Sequence, residues 1–114
     1  MTLGELYQAL KATGYPVAYS HFEDTPQNPA PKPPFITYQF AYSSDLMADN
    51  INYAEIGNYQ VELYTDKKDM TAERKVQDKL KELGLPCAKT ETYIEDEKLF
   101  QTIYEIQLIG GWRL

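Results

Sequence analysis

The sequence of 114 residues is poor in the side chains on which most metal sites and disulfides depend. It contains a single cysteine, Cys87, and a single histidine, His21. With one thiol no internal disulfide can form, and neither a structural zinc site nor a cysteine–histidine catalytic pair has the partners it needs. A single thiol also suits a reducing cytoplasm. We therefore expect no catalytic residues, no metal and no other cofactor.

The sequence also lacks long apolar runs and clusters of basic residues. No stretch approaches the ~20 apolar residues that a membrane-spanning helix requires, and the first residues do not resemble a secretory signal. The chain has 17 acidic and 11 basic residues, for a net charge of −6. Proteins that bind nucleic acids tightly instead carry clustered lysine and arginine. We expect neither membrane insertion nor sequence-specific nucleic-acid binding, although the charge suits an acidic protein past which DNA moves.

Two segments have the apolar spacing of amphipathic helices. Leu3, Leu6, Tyr7 and Leu10 recur at helical spacing in the first segment, where Thr2 and Glu5 form a capping-box pattern. The second helix follows Asp69 or Thr71 as its cap, and its buried stripe is predicted to be Ala72, Val76, Leu80 and Leu83. A glycine followed by a proline two positions later ends each helix.

Alternating patterns predict five strands in the remainder of the chain. Their expected ranges are 17–22, 35–42, 52–65 with an interruption near Gly57-Asn58, 87–94 and 99–109. In the second strand Ile36, Tyr38, Phe40 and Tyr42 are expected on one face. In the third, Gln60, Glu62 and Tyr64 are expected to point outward, and residues 43–50 are expected to form a connection.

The order of these elements, α-β-β-β-α-β-β, predicts one α+β domain over residues 1–114. We expect a mixed, mainly antiparallel sheet, with hairpins joining adjacent strands and both helices packed on one face. Residues 23–34 hold five of the seven prolines and are expected to form an extended loop with polyproline II character. Residues 110–114 are expected to form a short C-terminal tail.

Two stretches of the sequence resemble a known family. The first is Val61–Asp69 (VELYTDKKD) followed by Ala72-Glu73, and the second is Tyr93-Ile94 followed by 97–101 and 104–106. They resemble the small tail-terminator or tail-completion (minor tail) proteins of long-tailed bacteriophages and prophages. With the element order, the resemblance covers roughly residues 1–110, but neither the Pro-rich loop 23–34 nor the tail 110–114 has a counterpart.

The resemblance implies a non-enzymatic structural protein of the phage tail. Members of the family form a ring, commonly six-fold, that ends the tail tube and presents a surface to the head connector. Expected partners are therefore other copies of this chain, tail-tube proteins and head-connector proteins, first in the host cytoplasm and then in the virion tail. Two alternatives are a head–tail connector component and a soluble protein- or ligand-binding module unrelated to virions.

A ring protein of this kind is expected to use elements that a single domain leaves exposed. The candidates are the Pro-rich loop 23–34, the connection 45–56 and the acidic tip 95–98. Apolar residues within a polar connection are costly unless something covers them. The candidate subunit contacts are therefore Leu46, Met47, Ile51, Tyr53, Pro31 and Pro33.

The first prediction concerns metal content. Because no histidine, cysteine or carboxylate set has ligand spacing, protein purified without a metal-affinity tag is expected to contain no stoichiometric transition metal. Elemental analysis by mass spectrometry measures this directly. A transition metal retained at one equivalent per chain after dialysis against a weak chelator would contradict the prediction.

Overall fold

The two helices and the five strands of the main sheet follow one another along the chain in the order that the sequence predicts. The computed structural model describes residues 2–44, 46–48 and 51–109, with only the backbone described over 46–48 and 51–54. Within these ranges the elements are α1 (Leu3–Lys11), β1 (Val17–Tyr19), β2 (Phe35–Ser43), β3 (Leu46–Ala48), β4 (Ile51–Ala54), β5 (Ile56–Thr65), α2 (Met70–Glu82), β6 (Ala88–Ile94) and β7 (Leu99–Ile109).

Both helices begin at side chains that satisfy free backbone N–H groups. The Thr2 hydroxyl accepts from the Glu5 backbone N–H at 3.1 Å, and the Glu5 carboxylate accepts from the Thr2 N–H at the same distance. This reciprocal pair is the predicted capping box. At α2 the Asp69 carboxylate accepts from the Ala72 N–H at 3.0 Å, so Asp69 is the cap. Gly84 follows the end of α2 with a φ of 74°, a conformation that glycine adopts without strain.

Five strands form one sheet in the order β1-β2-β5-β7-β6. β1 runs parallel to β2, and the other neighbours are antiparallel. The protein is therefore an α+β fold with a mixed, mainly antiparallel sheet and two helices, as predicted. The predicted antiparallel pairings are present as β2 with β5 and β6 with β7.

The hydrophobic core lies between one face of this sheet and the two helices. Its buried side chains are Leu6 and Leu10 of α1, Ala72, Val76 and Leu80 of α2, and Val17, Ile36, Tyr38, Tyr59, Val61, Leu63, Tyr104, Ile106 and Leu108 of the sheet. Fully burying one such leucine or valine contributes about 1.5–3 kcal/mol. Because both helices cover the same face, the opposite face carries neither of them.

A β-bulge corrects the predicted pattern of β2. Phe40 pairs with Tyr59, but Tyr42 pairs with Asn58, so Ala41 is the extra residue. An extra residue moves every later side chain to the other face. The expectation that Tyr42 shares a face with Ile36, Tyr38 and Phe40 was therefore wrong, and Tyr42 is 61% exposed.

The segment 45–56 also differs from the expected connection. β3 and β4 pair antiparallel as a separate two-stranded ribbon, with Met47 opposite Asn52 and Ala48 opposite Ile51. The interruption before β5 falls at Glu55 and not at Gly57-Asn58, because β5 runs without a break from Ile56. β1 ends at Tyr19, earlier than expected, where Ser20 adopts a φ of 68° that a strand cannot continue.

The second prediction tests the helix face. Val76 of α2 is fully buried, whereas Arg74 is exposed. Val76→Asp is expected to lower the free energy of unfolding by about 3 kcal/mol or more, because it buries an unpaired carboxylate. Arg74→Asp, which introduces the same side chain, is expected to change it by no more than about 0.5 kcal/mol. Urea unfolding measures both, and similar midpoints for the two variants would show that the face is assigned wrongly.

Candidate functional site

The candidate site is the sheet face opposite the helices, which we call the open face. Side chains alternate between the faces along each strand, so this face is made by the residues between the core positions. They are Ala18 of β1; Phe35, Thr37, Gln39 and Tyr42 of β2; Ile56, Asn58, Gln60, Glu62 and Tyr64 of β5; Ala88, Thr90, Thr92 and Ile94 of β6; and Leu99, Gln101, Ile103, Glu105, Gln107 and Ile109 of β7. None of these positions, all of which the structure describes, carries lysine or arginine.

Glu62 lies at the centre of the open face and is only 6% exposed. One carboxylate oxygen accepts hydrogen bonds from the Thr37 hydroxyl at 2.9 Å and the Tyr64 hydroxyl at 3.3 Å. The other accepts from the Gln39 side-chain amide at 3.3 Å. The sequence pattern predicts the correct face for Glu62, but it predicts a side chain that points outward into water. Its burial comes from these cross-strand neighbours, which the pattern along one strand does not reveal.

The hydrogen bonds of the open face form two groups. In the first, which includes Glu62, the Gln101 amide donates to the Tyr64 hydroxyl at 2.9 Å. Burial, followed by the negative charge of Glu62, raises the pKa of Tyr64 above its ordinary value; like any tyrosine the phenol is protonated at neutral pH, and it donates to Glu62. In the second group, Gln107 donates to Asn58 at 3.0 Å. The amides of Gln101 and Gln107 are therefore each held by a side chain of the neighbouring strand.

A second polar cluster lies on the helix side, at the edge strand β6. The Glu73 carboxylate of α2 is almost fully buried and pairs with Lys68 and Lys89, each at 2.8 Å, and Lys68 also pairs with Glu91. The Tyr104 hydroxyl donates to the Glu73 backbone carbonyl at 2.9 Å. The cluster joins α2 to β6 and β7, and its charges are balanced within it.

Charge and burial act in opposite directions on Glu73. Burial disfavours the ionised carboxylate and by itself raises the pKa, but hydrogen bonds and attraction from Lys68 and Lys89 outweigh it. The pKa of Glu73 is therefore held below its ordinary value of 4.5. Hydrogen bonds to Glu73 and Glu91 raise the pKa of Lys68 in turn. Both groups are charged at neutral pH, which suits a structural ion-pair network.

A groove opens at the end of the sheet where β7 extends past β6. Its volume is about 720 Å³, within the range of roughly 300–1,000 Å³ that ligand pockets occupy. One wall is the segment Gly84–Ala88 between α2 and β6, and the floor is β7 from Glu105 to Ile109. Asn58 and Gln60 of β5 contribute polar groups, and Tyr42 lies at the rim. No pattern along the chain predicts this groove, because the segment after α2 and the strands β6 and β7 meet there only in the folded chain.

The predicted contact residues fall into two separate groups. Leu46 and Met47 lie on β3, and Ile51 and Tyr53 lie on β4, so pairing of these strands brings the four together on the ribbon; their side chains are outside the described residues. Pro31 and Pro33 are partly exposed in the Pro-rich loop. Two backbone N–H groups of that loop are bound by side chains, since Asn28 donates to Thr25 and Ala30 donates to Asp24.

Two other kinds of site, a metal-binding cluster and a membrane-spanning helix, are absent from the described ranges 2–44, 46–48 and 51–109. No group of three or more histidine, cysteine, aspartate or glutamate side chains there is placed to hold a metal ion. No helix in the same ranges is long and apolar enough to cross a membrane. No family model and no curated protein matches the sequence.

The third prediction concerns the Glu73 cluster and pH. A carboxylate whose pKa is lower in the folded than in the unfolded chain stabilises the fold above the unfolded value, and this contribution is lost as the pH falls through the folded value. Glu73→Gln is therefore expected to lower the free energy of unfolding at neutral pH, on the order of 1–3 kcal/mol. The difference from the wild type should shrink as the pH falls below 4.5.

The matched control is Glu97→Gln, at an exposed position in the β6–β7 turn. It is expected to leave the free energy of unfolding within about 0.5 kcal/mol of the wild type at every pH. Urea unfolding at a series of pH values measures all three proteins. A Glu73→Gln deficit that stays constant from neutral to acid pH would contradict the role of the charged carboxylate.

Proposed function

We propose that this protein is a non-enzymatic structural component of a phage or prophage tail, forming a ring that ends the tail tube and joins it to the head connector. The observation that carries the proposal is the open face, which presents amide, hydroxyl and carboxylate side chains between apolar ones and has no lysine or arginine at any described position. The resemblance of Val61–Asp69 and of the later strand residues to tail-terminator proteins supports the same function.

The composition of the open face suits a surface past which DNA moves. Lysine and arginine retain DNA because they neutralise phosphates and release counterions. The open face instead presents amides and hydroxyls, together with the carboxylates of Glu62 and Glu105. A ring that turns this face toward its channel would repel the phosphates weakly and offer them no ion pair. In this arrangement the helices lie on the outside of the ring.

The ring contacts proposed from the sequence are compatible with the fold. A ring requires two different patches on each subunit that close on each other. A two-stranded ribbon is marginally stable by itself, and the ribbon β3–β4 carries Leu46, Met47, Ile51 and Tyr53. We propose the ribbon as one contact, with Pro31 and Pro33 of the Pro-rich loop and the tip 95–98 as further contacts to copies of this chain, tail-tube proteins and connector proteins.

The groove beside β7 favours a second candidate function, a binding module unrelated to virions. Its volume of 720 Å³ is sufficient for a small molecule or a short peptide segment. Static light scattering distinguishes the two functions if it finds a ring, because a stable ring of the free protein supports the tail role. A connector component shares the ring and the channel, and only its position in assembled particles distinguishes it from a terminator.

The fourth prediction tests the proposed function by complementation. Cells that produce the corresponding phage or prophage particle without this gene are expected to yield tails of uncontrolled length that carry no heads, and the wild-type protein should restore joined particles. Negative-stain electron microscopy measures tail length and joining. Particles of normal length and full infectivity in the absence of the gene would refute the proposal.

Variants of the open face sharpen the same experiment. Gln60→Lys with Gln107→Lys adds two cations to this face, so retained DNA is expected to lower the infectious titre by about tenfold or more. The control, Gln8→Lys with Gln77→Lys, makes the same chemical change on α1 and α2, at one exposed and one half-buried position. Both proteins should fold and enter particles. Equal titres for the two would show that the open face does not line the DNA channel.

A further inference from the structure

Among the described residues, a strand lies on only one side of the last four residues of β7. β5 pairs with β7 from Phe100 to Ile109, whereas β6 pairs with it only from Leu99 to Glu105. In an antiparallel ladder the backbone groups of successive residues point alternately to the two sides. About half of the N–H and C=O groups of residues 106–109 therefore face the side without a strand. Within the described part of the chain, no backbone hydrogen bond reaches them from that side.

The chain before β6 cannot close this gap. α2 ends at Glu82, and the segment that leads from it to β6 contains Pro86, whose nitrogen carries no hydrogen to donate. β6 begins only at Ala88, opposite Glu105. The result is the groove of 720 Å³, with the free backbone of β7 as its floor. A strand rises about 3.3 Å per residue, so the free stretch can pair with about four residues of an added strand.

The two sides of the groove differ in polarity. On the helix side it is lined by Leu85, Cys87 and Leu108, and on the open-face side by Gln60 and Gln107 together with Glu105. An extended segment between them would place alternate side chains on the two sides, apolar toward the helices and polar toward the open face. Glu105 is the one charged residue among the lining residues, and it is exposed. A basic side chain on the polar side complements it.

We propose that this groove binds an extended segment of a partner protein, which adds to the sheet as a strand beside residues 106–109. The segment alternates apolar and polar residues and carries lysine or arginine on the side of Glu105. Main-chain hydrogen bonds to β7 give the affinity, and the two walls give the specificity, as in other cases of strand addition. The polar side of the groove shares Gln60, Glu105 and Gln107 with the open face, but the inference rests on the free edge of β7 and does not depend on the ring function.

The test uses the full-length protein and a pool of short synthetic peptides with alternating apolar and polar residues. Peptides retained by immobilised protein are sequenced, labelled with fluorescein and titrated by anisotropy. Retained peptides are expected to contain a basic residue at a polar position and to saturate the protein. Failure of every peptide in the pool to saturate it at concentrations up to about 1 mM would overturn the proposal.

Backbone methylation tests strand addition itself. Only alternate residues of an added strand point their N–H groups at β7. Two forms of the best peptide are made, with N-methyl groups on the apolar residues in one and on the polar residues in the other. One form should bind about tenfold more weakly or worse, and the other should bind like the parent peptide. Equal binding of the two forms would overturn pairing with β7.

Two protein variants test whether the Glu105 carboxylate attracts the basic residue of the peptide. Glu105→Lys is expected to weaken peptide binding about fivefold or more, because it replaces attraction by repulsion. Glu97→Lys, the same change at the exposed turn between β6 and β7, should leave binding unchanged. Equal affinities for the two variants would overturn the assignment of the basic residue to Glu105.

Cys87 reports occupancy of the groove, since it is the only thiol in the chain and lines the groove. Bound peptide is expected to slow its alkylation by iodoacetamide. If Cys87 is protected without peptide, and more strongly at higher protein concentration, a second copy of the chain occupies the groove and the proposal is overturned. Protection in the free protein that is lost on removal of residues 110–114, which lie outside the described residues, would overturn it in favour of the chain's own terminus.

Discussion

The packing of both helices against the same face of the sheet is the constraint on which the other features depend. Leu6 and Leu10 of α1 and Val76 and Leu80 of α2 are fully buried against the core residues of β2, β5 and β7. A mainly antiparallel sheet can leave one face in contact with water. Placing the helices on one side therefore creates the open face, and it is this face that suggests a role in an assembly.

The two buried carboxylates show different solutions to the same electrostatic problem. Burying an ionised carboxylate costs several kcal/mol unless it is paired or hydrogen-bonded. Glu73, on the helix side, is held by the two ammonium groups of Lys68 and Lys89. Glu62, on the open face, accepts hydrogen bonds only from neutral side chains that include Thr37 and Gln39. The open face therefore holds the Glu62 carboxylate without a lysine or arginine beside it. No described position of this face is basic.

The edges of the sheet are protected unequally. β6 carries Lys89 and Glu91 in its ion-pair network, and charged side chains on an edge discourage pairing with another chain. At the other edge, β1 is only three residues long. Among the described residues, 106–109 of β7 have neither form of protection, because β6 begins only at Ala88, two residues after Pro86. An edge left unpaired in a sheet that is otherwise protected is a reason to look for a partner there.

How much of the protein follows from its sequence can be judged from particular residues. Local patterns determined the two helices, the capping box at Thr2, the α+β class and the face on which Gln60, Glu62 and Tyr64 of β5 lie, because these depend on periodicity and on neighbours three or four positions away. Tertiary structure decided the bulge that moves Tyr42, the burial of Glu62 and the groove beside β7. Each of these depends on which residue of a distant strand stands opposite, and strand register is set by the pairing of segments far apart in the chain.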